Sequence, residues 1–229
     1  MQQFSVEHIA ALVVTALAAG ALVAVARGRE DVTTLHLAQG LAVFILTAYL
    51  AEHLTYAIRG TWTTRINLPL HLSDAVSLVS VAALLRPGRP GLVEVLYFWA
   101  FSASLQALLT PDLGQAFPDL LYFTYFATHS GAIVAACLLV LGYRRLPRPG
   151  AVWRVYGVTL AFASLAAIGT VVTGGNYMFL RHKPERSLLD VMGPWPWYIL
   201  TGAALGLLLF LALDALARAI RSWEARVAA

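Results

Sequence analysis

Apolar positions along this chain fall into seven near-continuous runs separated by short polar or Pro/Gly-containing connections. They show neither the strict alternation of barrel strands nor the one-sided stripe of a soluble helix. Each run approaches the roughly 20 residues that an α-helix needs to cross a bilayer. In lipid the backbone must satisfy its own hydrogen bonds, so runs of this kind are helices. The pattern predicts spans at Glu7 to Arg27, Leu35 to Ile58, Leu68 to Leu85, Leu92 to Leu109, Asp119 to Leu141, Val152 to Val172 and Trp197 to Ala217. Punctuation such as Arg86-Pro87-Gly88, Thr110-Pro111-Asp112 and Gly193-Pro194-Trp195-Pro196 marks several of the breaks.

Composition sharpens this into an all-α, polytopic membrane bundle with residues 1–229 as one transmembrane domain. Hydrophobic residues make up 59% of the 229 and charged residues only 12%, about half the charged share of a soluble domain. The net charge of +4 does not point to nucleic acid, because the Arg residues are spread among the connections rather than massed on one face. The single Cys137 excludes a disulfide framework within the chain. No Lys or Arg precedes the first run, unlike a secretory signal peptide, so that run reads as a retained helix.

Charge bias then orients the bundle. With the N-terminus outside, eleven of the sixteen Lys and Arg fall on the inner side, and Arg59, Arg65, Arg181, Lys183 and Arg186 fall outside. The positive-inside rule therefore predicts an outer N-terminus and a cytoplasmic C-terminus. This topology gathers most intramembrane polar groups in the outer half: Glu52, His53, His71, Ser73, Asp74, Gln106, Asn176 and Tyr177, with His129 near midplane. Ionisable groups are costly at such depths and are usually kept for a task.

Their spacing suggests chemistry. His71 and Asp74 stand i,i+3 on a helix whose first turn would hold Pro69, so Asp74 can orient an imidazole for acid–base work or merely satisfy it. Ser73 lies on a different face from His71 and needs a base from another helix; His129 is the candidate. His53 continues a stripe with Tyr49 and Tyr56, and Gln106 stands four residues from Ser102. Neither His-x-x-x-His nor His-Glu-x-x-His occurs, so no metal is expected, and no other cofactor is implied. Arg181 and Lys183 form a basic outer loop suited to phosphate headgroups, and the Trp195-Pro196-Trp197-Tyr198 segment suits an interfacial anchor.

The blocks Leu68-Pro69-Leu70-His71-Leu72, Tyr97-Phe98-Trp99, Leu105 to Asp112, and above all Gly175 to Leu180, Lys183-Pro184, Ser187 to Asp190 and Gly193 to Tyr198 resemble the bacterial YwaF-like integral membrane family. That resemblance implies a multi-pass protein of the bacterial cell membrane. Pro69 to His71 together with His129 is also distantly similar to the eukaryotic transmembrane protein 164 family. This second likeness implies acyl transfer on ether phospholipids through Cys and His, although Leu70 stands where that family places its Cys. Two functions follow as expectations. One is a lipid acyltransferase or hydrolase using Ser73, His129, His71 and Asp74, with Glu52, His53, Gln106, Asn176, Tyr177, Arg181 and Lys183 around the substrate. The other is a transporter or binder of a small polar solute with Glu52, Asp74 and His129 as titrating groups. Membrane lipids are the expected surroundings in both.

Overall fold

The computed structural model describes residues 3–183 and 188–227. It is all-helical, with no strand among the described residues. Among the described residues seven α-helices run α1 Val6–Ala26, α2 Val32–Ile58, α3 Leu72–Leu85, α4 Pro90–Leu109, α5 Leu120–Gly142, α6 Ala151–Thr173 and α7 Trp197–Val227. Six are long and apolar enough to cross a membrane. The exception is α3, whose 14 residues reach only roughly 21 Å at 1.5 Å each. The predicted Leu68 start fails for a local reason: the residue before a proline is pushed out of the α region, and Leu68 precedes Pro69. At the other end of the chain, α7 runs ten residues past its apolar stretch, with an Asp214–Arg218 pair one turn apart near the boundary. Of the predicted outer charges and family-like blocks, Pro184, Arg186 and Ser187 lie outside the described residues.

Caps set the helix starts. Asp31 and Thr34 form a reciprocal capping box on α2, with Thr34 N–H donating to Asp31 at 2.9 Å and Asp31 N–H donating to the Thr34 hydroxyl at 3.0 Å. Asp119 caps α5 by accepting from Leu121 N–H at 2.8 Å, and it also accepts from Arg59 at 3.1 Å. The cap bond first and the guanidinium second hold the Asp119 carboxyl below the usual carboxylate range. Pro90 opens α4, where its missing N–H costs nothing.

Two compact units result, one formed by the chain up to Thr61 with Ser73–Arg148, the other by Trp62–Leu72 and the chain from Pro149 onward. In the first, α5 is the enclosed helix, contacted by α1, α2 and α4. Hydrogen bonds set its register: Thr15 with Ser130 at 2.6 Å, and the Tyr143 hydroxyl to Thr34 O at 2.6 Å. Buried His8 accepts from Phe4 N–H at Nδ1 and donates from Nε2 to Leu108 O at 2.7 Å, tying the start of α1 to the end of α4. Buried Glu94 takes Arg148 through its guanidinium at 2.8 Å and its backbone N–H at 3.1 Å. In the second unit α6 packs on α7, and the Tyr156 hydroxyl donates to Ala203 O at 3.0 Å. Large apolar side chains, among them Leu17, Phe44, Leu50, Ile168, Val171 and Leu208, stay exposed on the long helices. Water would not tolerate such surfaces, whereas lipid is their natural solvent.

Close approach of α2 and α5 depends on Gly131, where an added Cβ would lie 2.5 Å from Ile45 Cγ1. Gly131→Ala should therefore lower the melting temperature in detergent micelles, at a cost of about 1–3 kcal/mol from overpacking. Gly20→Ala, whose added methyl meets nothing within 4 Å, should not lower it.

Candidate functional site

The first unit carries a polar cluster between α2, α3 and α5. Arg59–Asp119 at one end and Tyr143–Thr34 at the other run α2 antiparallel to α5, with Ile45 beside Gly131 between them. Counting from Ile45 and Gly131 brings Glu52 to the level of Thr124 and Tyr125. Asp74, in the first turn of α3, lies within electrostatic reach of Glu52, Tyr49, Tyr56 and Tyr125. Among the described residues neither Glu52 nor Asp74 has a protein hydrogen-bond partner. The aromatic stripe on α2 is partly realised, since His53 presents its ring to Tyr49 at 4.5 Å.

One turn beyond Tyr125 stands His129, 5% exposed, with its ring 4.3 Å from the tyrosine ring. Its Nδ1 is sealed and has no hydrogen-bond partner, while Nε2 is neither sealed nor bonded. Such a ring can present Nε2 as a base or as an acid, depending on where the proton sits. Ser73 is the second residue of α3, partly buried, and its hydroxyl has no partner among the described residues. Gln106 is exposed and does not meet Ser102, whose hydroxyl bonds back to Phe98 O at 2.6 Å. Among the described residues no three His, Cys, Asp or Glu side chains converge on a point that would hold a metal ion.

The second unit holds the remaining candidates, and there the polar groups mostly serve the loop itself. Asn176 accepts from the N–H groups of Arg181 (2.9 Å) and His182 (3.1 Å) and donates to His182 O at 2.8 Å. Tyr177 is fully buried; its hydroxyl donates to Thr64 O at 2.5 Å and accepts from Leu68 N–H at 3.1 Å. Met178 and Phe179 follow with φ of 50° and 55°, a left-handed conformation unusual for side chains of this size. That turn delivers Met178 N–H to His71 Nδ1 at 3.3 Å, between the rings of Tyr177 and Phe179. Because Nδ1 accepts, the neutral His71 ring carries its proton on Nε2. It also precedes α3, so the helical i,i+3 relation to Asp74 does not exist. Arg181 is exposed and donates to Gly174 O at 3.3 Å, whereas Lys183 lies over the Tyr198 ring at 5.6 Å and reaches Asp190 O at 3.4 Å.

Three features escaped the sequence reading. Glu94 was a visible signal, a carboxylate within an apolar run. His8 was hidden by its position at the first turn. The π-helical turn Ala100–Ser104 inside α4 has no sequence signature in this chain.

Six membrane-length apolar helices among the described residues define a multi-pass integral membrane protein. The chain belongs to the TMEM164 family, which it matches over residues 3–214, through all of α1 to α6 and most of α7. No curated protein and no solved structure matches it.

Tyr177→Phe should test the loop. It strands Thr64 O and Leu68 N–H, which costs about 1–3 kcal/mol. The variant should melt earlier and be cut faster by protease between residues 62 and 72.

Proposed function

We propose that this chain is a lipid acyltransferase or lipid hydrolase working inside the bilayer, with Ser73 as nucleophile and His129 as base. The observation that supports it most is His129: a buried imidazole with one open nitrogen in a unit that also holds the partner-free Ser73 hydroxyl. In the reaction Nε2 of His129 takes the Ser73 proton as Oγ bonds to the acyl carbon of a lipid ester. The ester C–O bond breaks, and the imidazolium returns the proton to the departing oxygen. A hydroxyl of a second lipid, or water, then attacks the acyl-serine, and His129 relays its proton back to Oγ. Asp74 and Glu52 stabilise the imidazolium electrostatically. In the second unit Arg181 and Lys183 supply positive charge that suits a lipid phosphate, and Asn176 and Tyr177 shape the loop that carries Arg181. We place the chain among YwaF-like members of the family, in a bacterial cell membrane with its N-terminus outside.

Ser73→Ala and His129→Ala, reconstituted in phospholipid vesicles, should each lower ester transfer or hydrolysis by about 10²–10⁴-fold. Wild-type rates in both variants would sink the proposal.

The partner-free carboxyls of Glu52 and Asp74 favour a second reading, a binder or transporter of a small polar solute that exchanges protons there. In that case proteoliposomes should show proton-coupled uptake that Asp74→Asn abolishes, with no ester turnover. Ester turnover without such uptake returns the assignment to the enzyme.

A further inference from the structure

Serine and threonine hydroxyls on these helices mostly bond back to a carbonyl of their own preceding turn, as those of Thr15, Ser80, Ser102 and Thr128 do. Ser104 does not. It closes the π-helical turn of α4, in which Leu105 N–H bonds to the carbonyl of Ala100. Its hydroxyl is wholly buried and has no partner. A buried hydroxyl left unpaired costs about 1–3 kcal/mol, and π-turns of this kind frequently occur at functional sites.

Register shows what Ser104 faces. The start of α4 packs on a second π-helical turn, Leu138–Gly142, that ends α5, so the two helices run antiparallel. The Tyr125 hydroxyl donates to Ala107 O at 2.8 Å, which turns that face of α5 toward α4. His129 is one turn further along the same face and touches the Tyr125 ring. One turn along α5 is roughly 6 Å, and the same distance back along α4 from Ala107 reaches Ala103 and Ser104. Ser104 and Ala107, at i and i+3, share a helix face. Two sealed and unpaired polar atoms, Ser104 Oγ and His129 Nδ1, thus stand at one level on facing helices.

We propose that Ser104 is the positioning residue for His129: its Oγ accepts a hydrogen bond from Nδ1–H, directly after a side-chain rotation or through one water. This rests on the reading of His129 as the base. A base at Nε2 needs its proton on Nδ1, and the acceptor opposite Nδ1 decides that tautomer, as carboxylates or carbonyls do elsewhere. Ser104 supplies the acceptor because its hydroxyl bonds to no carbonyl of its own helix, and the pair is neutral, which suits its depth.

The test is imidazole ¹⁵N NMR of the full chain in detergent or lipid discs, with the His129 signal assigned by its loss in His129→Gln. His8, whose Nδ1 accepts from Phe4 N–H, serves as a reference of fixed tautomer and as a check on folding. Wild type should show His129 protonated at Nδ1. Ser104→Ala should move the proton wholly or partly to Nε2, and Ser104→Thr should restore it. In the ester assay Ser104→Ala should lower kcat about 10- to 100-fold with KM changed by less than about twofold, and Ser104→Thr should recover most of it. An unchanged His129 tautomer in Ser104→Ala, with the His8 signal intact, overturns the proposal. Catalysis by Ser73→Ala and His129→Ala at wild-type rates would overturn the parent enzyme reading instead, while the tautomer result stands apart from it.

Discussion

Within hydrocarbon a polar group has only the protein to bond with, and the larger unit is organised by that constraint acting on α5. This helix is the most enclosed, so each hydroxyl or ring nitrogen it carries needs a partner on its own backbone or on a facing helix. Ser130 finds Thr15, Tyr125 finds Ala107 O, and Tyr143 finds Thr34 O. These bonds fix the axial register of α1, α2 and α4 against α5 more tightly than apolar contact does, because apolar packing in lipid has no hydrophobic drive to favour one sliding position. Against that background four sealed atoms of the unit lack a partner among the described residues: Ser77 Oγ, Ser104 Oγ, Tyr122 Oη and His129 Nδ1.

The smaller unit spends its polar groups differently. Tyr177 and Asn176 satisfy backbone donors and acceptors of the loops around them, and Asn176 thereby shapes the segment bearing Arg181 and His182. A backbone N–H occupies the Nδ1 acceptor of His71, which leaves it a donor at Nε2. His129 keeps an open nitrogen and an undecided tautomer. Two histidines that look alike in the sequence therefore differ in what they can do to a proton.

The carboxylates divide in the same way. Glu94 is closed off by Arg148, so its charge is matched and its function is to hold the first turn of α4 to the connection before α6. Glu52 and Asp74 have no such cation and face each other's field among tyrosines. A buried charge with a bidentate partner is held by its geometry, whereas carboxyls without one are costly to keep in lipid.

The membrane class and six of the seven helices were legible along the chain, because hydrocarbon demands length and continuous apolarity, and both are one-dimensional properties. Caps at Asp31 and Asp119 were equally local. The short α3 was legible in principle too, since Pro69 bars Leu68 from the helix. What the chain alone left open was every relation between segments distant in sequence: that His71 meets a backbone N–H from residue 178, that Tyr125 bonds to Ala107 O, and that Thr15 meets Ser130. Those depend on rotation and sliding of helices about their axes, to which apolar sequence is nearly indifferent. Only the interhelical hydrogen bonds and the Gly131–Ile45 approach, formed once the helices pack, decide them.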